Sequence, residues 1–365
     1  MDNVERTKIF LQRKFGEYYE KNLPELPEEF EKREWAFVPL INLPEFTMYR
    51  HISFKSRYEF KNHVINDVPA NIYYSSAYYR EPSASKMEEK GWEGADLIFD
   101  IDADHLPIKD RSIQNALKHA KEEVFKLLDV LSSDFGINRK SIRIVFSGGR
   151  GYHVHVYDRD FRKLDSGERR EIIDYLMINL NFDYRIPETT VGSRIIECMK
   201  KLSEYIIQKN HLDGLIDKLN FSGKKEDLVS ILTSGNFNRL SKSKSKRRIF
   251  EYLFSKCTAK VKINIDAPVT ADIKRLIRLP DSLHGRTGLR AMPVPLNKLD
   301  DFNPLKDAIA FGDKPVKIRI RNVRKGDIRW ATDELESMPK PGDKIKVPEY
   351  LAVFMMCRGM ALYGH

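Results

Sequence analysis

One stretch constrains this chain more than any other: Leu97-Ile98-Phe99-Asp100-Ile101-Asp102, an apolar run that ends in alternating carboxylates. Three consecutive apolar residues followed by alternation read as a buried strand. Side chains at i and i+2 leave the same face of a strand. Asp100 and Asp102 therefore point together, while Ile101 enters the opposite layer. Two carboxylates held side by side repel, and a hard divalent cation such as Mg2+ or Mn2+ relieves that repulsion. The plainer alternative is a strand end running into a polar turn through Ala103 and Asp104.

Around this strand the chain alternates β and α patterns. Val4 to Asn22 has helical spacing. Trp35 to Leu40, Met48 to Phe54 and Ile72 to Tyr79 read as strands. After the acidic strand, Ile113 to Phe135 reads as a long helix, with Ala116, Ala120, Val124, Leu127 and Leu131 on related faces, and Gly136 is placed to stop it. Ile142 to Phe146 and Val154 to Tyr157 are strands flanking a glycine-rich turn. The composition then shifts. Ser166 to Asn181 is amphipathic and helical, and helices broken by loops follow, among them Ile195 to Gln208, His211 to Leu219, Glu226 to Thr233 and Ile249 to Phe254. Ile263 to Asp266 returns to strand character, Ile273 to Leu279 reads as a short basic helix, and Ser282 to Gly288 as a loop. Val316 to Arg321 alternates as a half-exposed strand, and Glu349 to Leu362 reads as a last helix. These patterns predict an α/β or mixed α+β domain over 1–190 and 257–365, with an all-α insertion at 191–256.

Charge and cysteine content narrow the function classes. Lys plus Arg is 63 against 53 Asp plus Glu, a net charge of +10. That excess suits a polyanionic partner and equally suits the highly charged surface of a heat-adapted protein. The most basic run, Arg239 to Arg248, is either a nucleic-acid backbone contact or a solvated flexible loop. Cys198, Cys257 and Cys357 form no CxxC pair, which argues against a disulfide framework or a cysteine-rich zinc site. No apolar run approaches the ~20 residues a membrane span needs, and no signal peptide is visible. A cytoplasmic protein with no membrane partner is the expectation.

Three stretches carry chemistry. Asp100 and Asp102 form the first, and Asp266, ending another strand-like run, is the candidate third carboxylate, though a turn residue before Pro268 is the simpler reading. The second is Ser147-Gly148-Gly149-Arg150-Gly151-Tyr152-His153. Its glycines permit positive φ and close backbone approach to an anion, Arg150 offers a planar fork for phosphate, and Ser147 and His153 add polar groups. A tight hairpin explains the glycines alone, and the GxxxxGK[ST] order of a P-loop is absent. The third is Arg278 and His284, which one helix and one loop would return towards the strand end; otherwise they are surface residues. Arg50, among aromatic neighbours, is either an edge-strand surface residue or a phosphate ligand.

In order, spacing and context these stretches closely resemble the small, catalytic subunit of archaeal and eukaryotic DNA primase. The resemblance is carried by Phe99 to Asp102, Ser147 to His153, and Asp266 to His284. Weaker echoes occur at Tyr49 to Phe54 and Ser75 to Tyr79. It implies the primase–polymerase catalytic fold with an inserted helical subdomain. It implies that Asp100, Asp102 and Asp266 bind two catalytic Mg2+ or Mn2+ ions. Ser147, Gly148, Arg150, His153, Arg278 and His284 would hold the incoming nucleotide, with Arg50 as a further contact. The implied activity is templated synthesis of short RNA primers from NTPs on single-stranded DNA, with dNTPs left open. The alternatives are a repair or translesion polymerase of the same superfamily preferring dNTPs, and a non-catalytic nucleic-acid-binding subunit. The implied partner is a large iron–sulfur subunit. A cluster usually takes four thiolates, so that subunit is expected to be a separate chain in a heterodimer. Family members commonly carry a zinc site soon after the acidic strand. Leu106 to Val124 holds no cysteine, so no structural zinc is expected.

Overall fold

The computed structural model describes residues 2–40, 47–178, 189–323, 328, 330–331, 335 and 337–364. Two four-stranded sheets hold the residues of interest. The first contains β1 (Trp35–Pro39), β2 (Tyr49–Ile52), β3 (Pro69–Ser75) and β9 (Leu276–Arg278), in the order β2-β1-β3-β9. The second contains β6 (Leu97–Asp102), β7 (Ile142–Phe146), β8 (Gly151–Val156) and β10 (Pro293–Val294), in the order β10-β7-β8-β6. β4 (Ala77–Tyr79) pairs with β5 (Trp92–Ala95), while β11 (Pro315–Ile320) lies between β12 (Lys344–Pro348) and β13 (Ala361–Tyr363). Every pairing among these strands is antiparallel. The architecture is mixed α+β.

The chain forms two compact units. One comprises Met1–Phe125, Ile137–Arg170 and Ile265–His365, and the other Lys126–Gly136 with Glu171–Asn264. The sheets belong to the first. Its helices include α1 (Asn3–Lys21), α2 (Arg57–Asp67) and the start of α3 (Ile113–Ser133). The Asp2 side chain caps α1 by accepting from the Glu5 N–H at 2.8 Å, and Phe10, Leu11, Phe15 and Tyr19 are its buried face. In the second unit, α4 (Ser166–Met177) leads to α5 (Thr190–Gln208), α6 (Leu212–Lys218), α7 (Lys225–Ser234) and α8 (Lys244–Val261). Ile195, Met199, Leu228, Ile231, Leu253 and Cys257 form the centre of its apolar core. No described helix is long and apolar enough to cross a membrane.

Several local expectations change. Residues 273–279 are not helical: the helix is α9 (Ala267–Ala271), started by Pro268 in its first turn, and Leu276–Arg278 is a strand. Its ladder with Tyr73, Tyr74 and Ser75 decides this, because backbone pairing outweighs the weak helical pattern of seven residues. Ile263 to Asp266 is extended but joins no ladder; single bonds hold it, Ile263 N–H to Leu176 O and Asp266 N–H to Asp100 O. The basic run is not a loop throughout. Ser243 accepts from the Lys246 N–H at 3.4 Å and starts α8, so Lys244 to Arg248 are helical. The last helix, α11 (Glu349–Cys357; α10 is the short Pro304–Asp307), ends early, and Ala361–Tyr363 becomes β13. The stretch Ile72 to Tyr79 divides at Ser76 into β3 and β4. The expected helix over Ser166 to Asn181 runs to Met177, and its last three residues lie outside those described.

Candidate active site

β6 alternates as its sequence requires. Leu97, Ile98, Phe99 and Ile101 are buried, while Asp100 and Asp102 share the opposite, half-open face. The register with β8 sets Asp100 opposite His153 and Asp102 opposite Gly151. A side chain at position 151 would drive its Cβ into the Ile101 carbonyl, so the close seating of β8 beside the two acids depends on glycine. The β7–β8 turn is closed by the Ser147 N–H donating to Gly151 O at 3.0 Å, and the Ser147 hydroxyl accepts from the Gly149 N–H at 3.3 Å.

Asp266 reaches the same place from the other end of the chain. Its backbone N–H donates to Asp100 O at 2.8 Å, and α9 behind it packs on β6. The three carboxylates feel one another. Burial, then the charges of Asp102 and Asp266, push the Asp100 carboxyl up to about 7, against the opposing pull of Arg275 and Arg278. Crowded like charges raise a pKa in this way. Among the described residues no three acidic, cysteine or histidine side chains close a cage around an ion by themselves. The donor set is nonetheless one of hard oxygens with uncompensated negative charge. It fits Mg2+ or Mn2+, which commonly complete their shells with water and substrate phosphate.

Arg278 on β9 donates to the Asn71 amide oxygen and to the Tyr73 hydroxyl at 3.0 Å, and lies over the Tyr73 ring. His153 Nε2 is 3.9 Å from Asp100 Oδ1. Burial first, then Arg278 and Arg275, lower the His153 pKa to about 3, so its ring is neutral at pH 7. His284 is also held neutral by burial, with Arg278, Arg286 and Arg358 adding to the effect. Its Nδ1 accepts from the Arg286 N–H at 3.2 Å, which puts the ring proton on Nε2. Both histidines are thus hydrogen-bonding groups rather than cations.

The loop after β9 locks onto the glycine turn. Gly148 has φ +76°, and a Cβ there would lie 2.8 Å from His284 Cβ. The Thr287 hydroxyl donates to Gly148 O at 2.6 Å, and Phe146 and Met292 exchange backbone bonds at 2.8 and 3.0 Å. Ser147, Gly148, His153, Arg278 and His284 are therefore neighbours of the acidic face. Arg150 projects to the other side of a cleft that also holds Asp102, Gly149 and His284. Its guanidinium pairs with Asp104 at 2.7 Å and donates to the Arg111 carbonyl at 2.9 Å. Arg50 is not brought to this group. It sits on β2, at the sheet edge opposite Arg278, and its Nε donates to the buried Glu34 carboxylate at 3.0 Å.

Sequence reasoning missed several neighbours. Arg275 acts on Asp100, His105 lies 3.7 Å from Asp266, and Asp104 holds Arg150. Asp104 had a signal, since it extends the i, i+2 spacing of Asp100 and Asp102. The others had none beyond proximity in sequence.

Residues 99–296 match the family model for the DNA primase small subunit. The curated DNA primase small subunit PriS of Archaeoglobus fulgidus is 47% identical over 360 residues, covering 98% of this chain and 99% of that protein. The chain belongs to the DNA primase small-subunit family. The PriS of Methanococcoides burtonii is 38% identical over 98% of this chain and 99% of its own length, and that of Methanosarcina barkeri 36% identical over 100% and 98%. Among solved structures, the polymerase domain of Mycobacterium tuberculosis Ligase D in complex with DNA is similar at 11% identity. Its TM-score is 0.37 over 80% of this chain and 83% of that one, too distant to bear on the assignment. A primase small subunit is a nucleotidyltransferase by family, and its substrates are DNA and nucleotides.

Proposed function

We propose that this chain synthesises short RNA primers on single-stranded DNA by templated nucleotidyl transfer from NTPs. A 3′-hydroxyl, from a primer or the first nucleotide, attacks the α-phosphate of the incoming NTP; the new phosphodiester forms as the bond to pyrophosphate breaks. Asp100, Asp102 and Asp266 would hold one or two Mg2+ or Mn2+ ions. Such ions, when bound, lower the pKa of a coordinated hydroxyl and neutralise phosphate charge. The chain's own groups supply the rest. Arg278, fixed by Asn71 and Tyr73, presents its charge to the phosphates without first having to be ordered. His284 Nε2 and His153 donate as neutral rings, and the backbone around Gly148 and Gly149 admits the triphosphate close to the turn. Arg150 joins by exchanging Asp104 for phosphate.

The observation that carries this reading is the crowding of Asp102 and Asp266 on Asp100, beside His153 and Arg278. A large iron–sulfur subunit is the proposed partner for initiation, which needs two nucleotides on the template at once. The test is de novo synthesis on unprimed single-stranded DNA with Mg2+ or Mn2+, with NTPs or dNTPs, and with or without a large subunit. Metal-dependent RNA products on unprimed template are expected. Incorporation restricted to dNTPs at gapped ends moves the chain to the repair-polymerase reading, and DNA binding without incorporation removes the catalytic one.

A further inference from the structure

The cleft beside the carboxylates extends beyond the residues given roles above. It encloses about 670 Å3, and its lining includes Arg286 from the loop after His284, Arg321 just past β11, and Arg358 just past α11. Two of the three come from the last part of the chain, where the sequence shows no motif. The acidic lining is Asp102 and Asp104, and Asp104 is already engaged by Arg150.

Positive charge continues in one direction from the carboxylates. Arg275 and Arg278 are the cations felt at Asp100. His284 is reached by Arg278, Arg286 and Arg358, so it stands between the first set and the second. Arg286 and Arg321 are exposed, and Arg358 lies over the Phe354 ring at 5.6 Å. A nucleoside triphosphate has a matching gradient. Its α-phosphate carries the least charge, and its terminal phosphate carries the most charge and the most free oxygens. Arginine forks engage several oxygens of one phosphate at once.

We propose that Arg286, Arg321 and Arg358 bind the terminal phosphate of the incoming nucleotide, and that they set the preference for triphosphate over di- and monophosphate. The inference rests on the polymerase reading above and deepens it. It gives the C-terminal segment of the chain a substrate-binding role.

The test is equilibrium binding of ATP, ADP and AMP to the full chain with Mg2+ present. Wild type is compared with the Arg286→Gln/Arg321→Gln double variant and with Arg358→Gln. The double variant changes only exposed side chains, so it decides the matter even where Arg358→Gln fails to fold. Expected is a loss in ATP affinity of about tenfold or more, down to that of ADP, the size of one lost charged contact, with AMP affinity unchanged. In steady-state assays KM for NTP rises while kcat holds. An ATP-to-ADP preference that survives in the variants overturns the inference and leaves the polymerase reading intact. Unchanged nucleotide preference with weakened single-stranded DNA binding also overturns it and assigns the arginines to the template backbone. A wild-type chain that binds AMP as well as ATP removes both readings.

Discussion

Four residues separate Asp96 from Asp100, and their surroundings are opposite. Asp96 is buried against Arg33 at 2.8 Å and accepts from the Tyr78 hydroxyl at 2.7 Å. Arg33 also donates to the Ser75 and Ser76 carbonyls, and Arg169 donates to the backbone oxygens of Ala95 and Asp96. Nearby, buried Glu34 meets buried Lys90 at 3.5 Å. Here the chain supplies its own counterions. At Asp100 it supplies two more carboxylates, and the nearest ring nitrogen, on His153, is 3.9 Å away and uncharged. A buried charge that the fold neutralises acts as structure. One that the fold leaves exposed to its own kind is a demand for a ligand, held at a cost in stability.

This contrast can be broken most sharply by removing one member of each cluster. Asp100→Ala should lower nucleotide incorporation by at least about 10^2–10^3-fold, the scale for losing a group that stabilises transition-state charge. The urea midpoint of the same variant at pH 7.5 should be unchanged or higher, because a repulsive charge has gone. A destabilised Asp100→Ala would place Asp100 with Asp96 as a structural residue. Arg33→Ala should do the reverse. It strands a buried carboxylate and should cost about 3–5 kcal/mol in denaturant unfolding, while the folded fraction keeps its activity per molecule.

A pH series sharpens the comparison further. The folded Asp100 carboxyl titrates near 7, and its unfolded value is 3.8. Between those values the folded state holds a proton that the unfolded state has lost. Its contribution is therefore full below about pH 4 and is lost as pH rises towards 7, a change on the order of a few kcal/mol. Metal-free wild type should show this loss in unfolding experiments, and Asp100→Asn should not; equal slopes for both would remove Asp100 as the cause. The smallest effect concerns Asp104. Its pair with Arg150 is partly exposed, so Asp104→Ala should change stability by less than about 1 kcal/mol. By freeing Arg150 it should lower KM for NTP about two- to threefold, and a raised KM would show instead that Asp104 orients Arg150 for phosphate.

Local pattern made the strand of Leu97 to Asp102, the glycine turn and most helices legible, because alternation and helical spacing are written into neighbouring residues. Asp266 was readable as a third acid only through its setting after a strand-like run, and the fold delivers it by a single backbone bond rather than a ladder. What could not be read is what distant pairing decides. Leu276 to Arg278 is a strand because Tyr73 to Ser75 is there to receive it. Arg33 finds Asp96 across 63 intervening positions, with no shared period to announce the pair. Arg50 looked like a phosphate ligand among aromatics, and buried Glu34, far enough away to leave no local signal, claims it.

The hydrogen bond from Asp266 to the Asp100 carbonyl has a consequence for the order in which the protein acquires activity. A nascent chain emerges N-terminal end first, and its compact parts fold as units. The acidic hairpin partners are on hand once Val156 has left the ribosome, but the third aspartate follows only after the whole helical unit has been made. Until then a ribosome-bound intermediate has an incomplete acid set, and the newborn polypeptide has no premature catalysis to restrain.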